Sequence, residues 1–238
     1  MSLQVEELSY RYGPRLALDQ VGFAVAPGTF CALLGPNGAG KSTLFGLLTR
    51  LFTTPSGRIV VDGIDLARNP RAALARMGVV FQQPTLDLDL TLRRNLLYFA
   101  GLHGLSGRDA QTRADQALTR IGLTDRARDP VRALSGGQRR RLEIARALMH
   151  GPSVLLLDEP TVGLDAASRR DITAHVHALA AEQGMTILWA THLTDEVADT
   201  DRLVLLHRGR VLADTTAAGF RAERPLSDAF LAATLEDA

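Results

Sequence analysis

One lysine occurs in the whole chain, Lys41, and it lies inside the segment GPNGAGKST that runs from Gly35 to Thr43. The segment satisfies G-x-x-x-x-G-K-[ST], a pattern in which glycines let successive backbone N–H groups converge on phosphate oxygens while a following helix N-terminus adds a favourable dipole. Gly35, Gly38 and Gly40 supply the loop, with Pro36, Asn37 and Ala39 between them. The chemistry expected here is phosphate-chain binding, with Lys41 on β- and γ-phosphates, Ser42 on Mg²⁺ and Thr43 on an α-phosphate oxygen. All the other basic residues, of 27 in total, are arginine. A compact ammonium fits beside phosphates that a planar guanidinium would crowd.

Two further segments carry chemistry. In SVLLLDEP an apolar run ends in Asp158 and Glu159, and acids at the C-terminal end of a buried strand face the ligand crevice of an α/β sheet. Asp158 would hold the Mg²⁺ shell, and Glu159 would polarise a water beside the γ-phosphate. In LSGGQ, Leu134 to Gln138, Ser135 can cap the helix RRRLEIARAL while Gly136 and Gly137 expose its first N–H groups to an anion.

The elements that must position these residues follow from periodicity. LQVEELSYRYG and VGFAV alternate apolar and polar residues around turns at Gly13-Pro14 and Pro27-Gly28, which predicts an antiparallel β layer. FCALLG, Phe30 to Gly35, reads as a strand buried on both faces, followed by the glycine turn and a helix beginning near Lys41. From Thr91 to about Met149 the pattern is helical, with turns at Gly101 to Gly107 and around Asp129-Pro130. Then come the strand SVLLLD, a helix with Ile172, Val176 and Leu179 on one face, and the strand MTILWAT, which buries Trp189. Alternating strands and helices predict an α/β fold with a mostly parallel sheet. The tail from Thr215 reads as one short helix after Pro225.

Composition narrows the function classes. With 46% hydrophobic residues the chain can bury a substantial core, and a formal net charge of +1 argues against a nucleic-acid groove. Arg139 to Arg141 lie in a helix where consecutive residues diverge, which predicts a solvated face or an interface. Cys31, the lone cysteine, reads as a small core residue, and the absence of a leader pattern points to a reducing cytosolic compartment. Apolar runs fall far short of the roughly 18 to 20 residues that span a bilayer.

Together these residues resemble the ATP-binding cassette (ABC) family. GPNGAGKST matches its Walker A motif, LSGGQ its signature, VLLLDEP its Walker B and Gly163-Leu164-Asp165 its D-loop, in the family's order along nearly the whole chain. Tyr12 in YRYGPR looks like the adenine-stacking aromatic, with Tyr10 as the alternative. Gln82 in VVFQQP looks like the Q-loop glutamine, with Gln83 as the alternative, and His192 in WATH looks like the switch histidine. His103, His150, His175, His177 and His207 have no comparable context and read as solvated.

The resemblance implies a P-loop NTPase core with a mostly parallel sheet, an N-terminal antiparallel β layer and an inserted helical lobe. As a single domain it would divide into a nucleotide-binding core with its β layer, residues 1–82 and 150–238, and a helical signature lobe, residues 83–149. It implies ATP and Mg²⁺ as ligands, Glu159, His192, Lys41 and Gln82 as catalytic residues, and Ser42, Gln82 and Asp158 around the metal. Two cassettes would face each other head to tail, so that Ser135, Gly136, Gly137 and Gln138 reach ATP held by a second subunit and Asp165 lies at the interface. A homodimer, or a pairing with a related cassette, would dock on separate permease subunits at the inner face of the cell membrane, with the helical lobe after Gln82 carrying the contact surface. LTLRRNLLYFAGLHGLSG, LSGGQRRRLEIARAL and EPTVGLD resemble the drug, haem and polysaccharide exporter branch. The alternative is a cassette of a non-transport assembly such as iron–sulfur cluster building. Chromosome-structuring and DNA-repair cassettes insert long heptad segments, and none runs between Thr43 and Leu134.

Overall fold

The computed structural model describes residues 1–235. Strand β1 (Leu3–Tyr12) turns at Gly13-Pro14 into antiparallel β2 (Arg15–Val25). The register slips between Val5 and Leu8, where Glu7 takes a φ of +48°. That bulge keeps Leu3, Val5 and Leu8 on one buried face despite the odd spacing. After the first buried strand β3 (Phe30–Leu34) and helix α1 (Lys41–Leu48), the chain returns to this layer as β4 (Arg58–Val61) and β5 (Ile64–Asp65), giving the order β2-β1-β4-β5. Helix α2 (Pro70–Leu74) then leads to β6 (Met77–Val80).

Next come three helices, α3 (Leu92–Leu102), α4 (Gly107–Arg120) and α5 (Gly136–Ala147). Thr91 caps α3 through a bond from the Arg94 N–H at 3.2 Å. Leu92, Leu96, Ala114, Leu118, Val131 and Leu142 bury themselves against one another, and alanines at 100, 110, 114 and 117 let the helices approach closely.

The remaining strands are β7 (Val154–Asp158), β8 (Thr186–Thr191), β9 (Arg202–His207) and β10 (Arg210–Thr216), with helix α6 (Ala166–Gln183) between β7 and β8. They form a six-stranded sheet, β10-β9-β3-β8-β7-β6, parallel except for β10. Every residue of β3, β7 and β8 is buried because alternate side chains have a cover on each side. Leu33, Leu156, Leu188 and Val204 pack toward the antiparallel layer and α1. Leu155, Leu157, Ile187 and Trp189 pack toward α5 and α6, where Ile172, Val176 and Leu179 meet them.

The tail holds two helices rather than the single one expected, α7 (Ala217–Arg221) and α8 (Leu226–Leu235). The five residues of α7 are too few to show a period, and Thr216 starts it by capping the Gly219 N–H at 3.1 Å. The histidines also depart from expectation. His177 stacks on Phe30 with ring centres 3.8 Å apart and meets Asp201 at 2.9 Å. His207 is buried at the end of β9. His150 stacks on His103 at 3.9 Å, and burial, helped by His103, pushes it down to about 4.

Candidate active site

The phosphate loop is defined by where β3 ends. A Cβ at Gly35 would stand 2.4 Å from the Leu206 carbonyl oxygen, so only glycine lets the loop leave the sheet beside β9. Gly40 takes a φ of +111° and turns the chain into α1 without any side-chain cap. The first N–H groups of α1 are thus left for an anion. The Gly209 N–H donates to the Ala39 carbonyl at 2.9 Å and ties the β9–β10 turn to the loop.

A cavity of about 820 Å³ opens above the loop. Tyr12, Asn37, Gly38, Gly40, Lys41, Ser42 and Thr43 face it from one side, and Gln82, Glu159 and His192 from the other. Gly35, Pro36 and Ala39 are not on its walls. The carbonyls of Gly35 and Pro36 instead accept from Lys41 Nζ, at 2.7 and 3.2 Å. Gln83 is also absent from the walls, so Gln82 is the glutamine presented to the cavity.

Glu159 gathers the other groups. It follows β7 with a φ of +46°, a left-handed conformation rare for a residue with a side chain, and its N–H extends the ladder to the Ala190 carbonyl at 2.9 Å. Lys41 Nζ lies 3.2 Å and His192 Nδ1 3.3 Å from Oε1, the histidine without the alignment of a hydrogen bond, while Gln82 Nε2 donates to Oε2 at 3.5 Å. Behind it, burial and then the charge of Glu159 push Asp158 up to about 6, against the pull of Lys41 and Ser42. Asp158 Oδ1 is buried without a hydrogen-bond partner.

Tyr12 is 45% exposed and stands edge-on to Tyr10 (4.9 Å) and Phe52 (5.9 Å), while Tyr10 stacks on Phe52 and is half buried. The cavity therefore sees the Tyr12 ring, with Tyr10 as its backing.

The signature residues lie outside this cavity. Ser135 caps α5, accepting from the Gln138 N–H at 3.3 Å, and the Ser135 N–H in turn donates to Gln138 Oε1 at 3.0 Å. Gln138 also accepts from Arg126, so its side chain is occupied within the lobe. Ser135 and Gly136 are exposed at the open end of α5. Asp165 caps α6, accepting from the Ala167 and Ser168 N–H groups at 3.1 and 2.9 Å.

Sequence reasoning missed Arg140, which it placed on a solvated face or interface. The residue is buried, and its guanidinium pairs with Glu143 at 2.8 Å and donates to the carbonyls of Phe81 (2.8 Å), Gln82 (3.1 Å) and Pro160. Its signal in the sequence was masked by Arg139 and Arg141 on either side.

A family model described as ABC transporter matches residues 18–162, more than half of the chain. A daunorubicin resistance ATP-binding protein of Streptomyces coeruleorubidus is 42% identical over 93% of this chain and 70% of its own length. A linearmycin resistance ATP-binding protein of Bacillus subtilis is 38% identical over 89% of this chain and 68% of its own. A dimeric ATP-binding cassette solved in a post-hydrolysis state with ADP and phosphate superposes with a TM-score of 0.76 at 29% identity, covering 90% of this chain and 98% of that one. With the phosphate loop, the acid pair and the signature helix in place on this fold, the chain belongs to the ABC transporter family and is an ATP-binding, ATP-hydrolysing subunit.

Proposed function

We propose that this chain powers export across a membrane: two copies close head to tail on ATP and reopen on hydrolysis. The observation that carries the reading is the convergence of Lys41, His192 and Gln82 on the two oxygens of Glu159, above a phosphate loop. Tyr12 would stack on the adenine, Lys41 and the loop N–H groups would hold the phosphates, and Thr43 would bond the α-phosphate. Glu159 would orient the attacking water and accept its proton as the γ-phosphate bond breaks, with His192 and Gln82 fixing the terminal phosphate and that water. The buried, partnerless Asp158 oxygen beside Ser42 and Glu159 suits a hard cation. Ser42, Asp158 and Gln82 would hold Mg²⁺, whose charge when bound offsets that gathering on the phosphate oxygens.

The exposed end of α5 supports a site completed in trans, with Ser135, Gly136 and Gly137 of a second copy on the phosphates and Asp165 at the interface. Gln138, whose side chain and N–H are taken up by Arg126 and Ser135, would shape that end rather than touch the phosphates. No helix among the described residues is long and apolar enough to cross a membrane. In this reading the transport path belongs to separate permease subunits, with the cassette bound peripherally at their cytoplasmic face and the lobe of residues 83–149 meeting them. The two antibiotic-resistance relatives support export of a drug-like compound over service in iron–sulfur cluster assembly.

The testing variant is Glu159→Gln. It keeps the shape of the side chain and removes the base, so ATP binding should persist, turnover should fall by roughly 100-fold or more, and an ATP-loaded dimer should accumulate on size exclusion. Undiminished hydrolysis would remove Glu159 from the base role.

A further inference from the structure

Between the segments that carry Glu159 and His192 lies a further buried carboxylate that none of the motifs includes. Glu196 ends a short 3-10 turn, Thr194–Glu196, four residues past His192, and is 2% exposed. Among the described residues no basic group pairs with it. Its oxygens accept from three neutral donors instead: Thr161 Oγ1 on Oε1, and Trp189 Nε1 (3.0 Å) and Thr191 Oγ1 (2.5 Å) on Oε2. All three donor residues are themselves buried.

The donors come from the two segments that carry Glu159 and His192. Thr161 stands two residues past Glu159, and its carbonyl accepts from the Leu164 N–H at 3.1 Å, fixing the turn that ends at Asp165. Trp189 and Thr191 lie on β8, which delivers His192. The Thr191 hydroxyl also accepts from the Leu193 N–H at 3.0 Å, so one hydroxyl holds the backbone on both sides of His192. A buried carboxylate without a cation is costly for stability. Its two oxygens both accept, whereas an amide offers only one acceptor, so Glu196 holds the two segments in register more firmly than an amide would.

We infer that Glu196 is a positioning residue that couples the Thr161–Asp165 turn to His192, so that engagement of Asp165 by a second cassette sets the histidine against the γ-phosphate. This rests on the assignment of His192 and Asp165 made above. The test compares ATP affinity and steady-state hydrolysis of the wild type, His192→Ala, Glu196→Gln, the double variant and Thr161→Val. Glu196→Gln should leave ATP affinity and KM within about twofold and lower kcat by roughly tenfold or more. In the His192→Ala background the same change should cost nothing further, because the two residues act as one unit. Thr161→Val, which removes one donor and leaves the carboxylate in place, should reproduce the kcat loss and the same non-additivity, and it serves if Glu196→Gln does not fold. Full kcat in Thr161→Val or in folded Glu196→Gln, or losses that multiply with His192→Ala, would overturn the coupling. Wild-type turnover in His192→Ala would instead overturn the histidine's own assignment, and the coupling with it.

Discussion

Lys41 Nζ is held by two loop carbonyls and Glu159 within 3.2 Å, and the residue is 5% exposed. In the proposed role, binding ATP would exchange these partners for phosphate oxygens in the same small space. An arginine there brings a planar fork with five donors whose reach and width do not match that space. Lys41→Arg should therefore keep the fold and lose hydrolysis by roughly a hundred- to a thousandfold, the scale of losing one transition-state contact. Steady-state ATPase alongside thermal unfolding checks this, and wild-type turnover would show that charge alone is what the site needs. The lysine was legible because its neighbours in sequence are also its neighbours in the site. The left-handed turn at Glu159 was not, since φ there follows from the packing of β7 against β8.

Helix α5 would serve two ends of the proposed site. Its N-terminus is capped by Ser135 and left open, while one turn further on Arg140 reaches back to the carbonyls of Gln82 and Pro160. Arg140→Leu would leave Glu143 buried without its cation, at a cost of about 3–5 kcal/mol, which is roughly a 6–20 °C fall in melting temperature for a chain of this size. Arg140→Leu with Glu143→Leu should recover most of that stability yet not turnover, because Gln82 and Pro160 still lose their donor. Recovery of turnover in the double variant would mean that Arg140 supports only the fold. The cap was readable from LSGGQ alone, because Ser135 and Gln138 satisfy each other within one helical turn. Arg140 was not readable, since the carbonyls it donates to lie about twenty and sixty residues away and three adjacent arginines look alike in a helical pattern. The buried strands β3, β7 and β8 stood out as unbroken apolar runs. Strands β4 and β5 are only four and two residues long, and β5 is the edge of its sheet, so they announce themselves only through pairing.

At the scale of the whole molecule, the phosphate cavity and the exposed end of α5 are separate surfaces of one chain. In the proposed two-fold pair each surface would meet its complement on the other copy, giving two equivalent composite sites. Two complementary variants test that arrangement. Lys41→Ala disables the cavity and leaves the signature intact. Gly136→Asp places a carboxylate where the phosphates of the opposing ATP would lie, at a helix N-terminus whose dipole tolerates it. Each variant alone should be inactive. In an equal, freely exchanging mixture half of the dimers are mixed, and each of these has one intact site of two, so activity should return to about a quarter of wild type if the sites act independently. Activity should also rise with total protein concentration, as association of the two variants requires. A mixture that stays inactive under conditions where the wild type dimerises would mean that both sites must fire together, whereas full activity of Gly136→Asp alone would place catalysis within a single chain and remove the signature helix from the site.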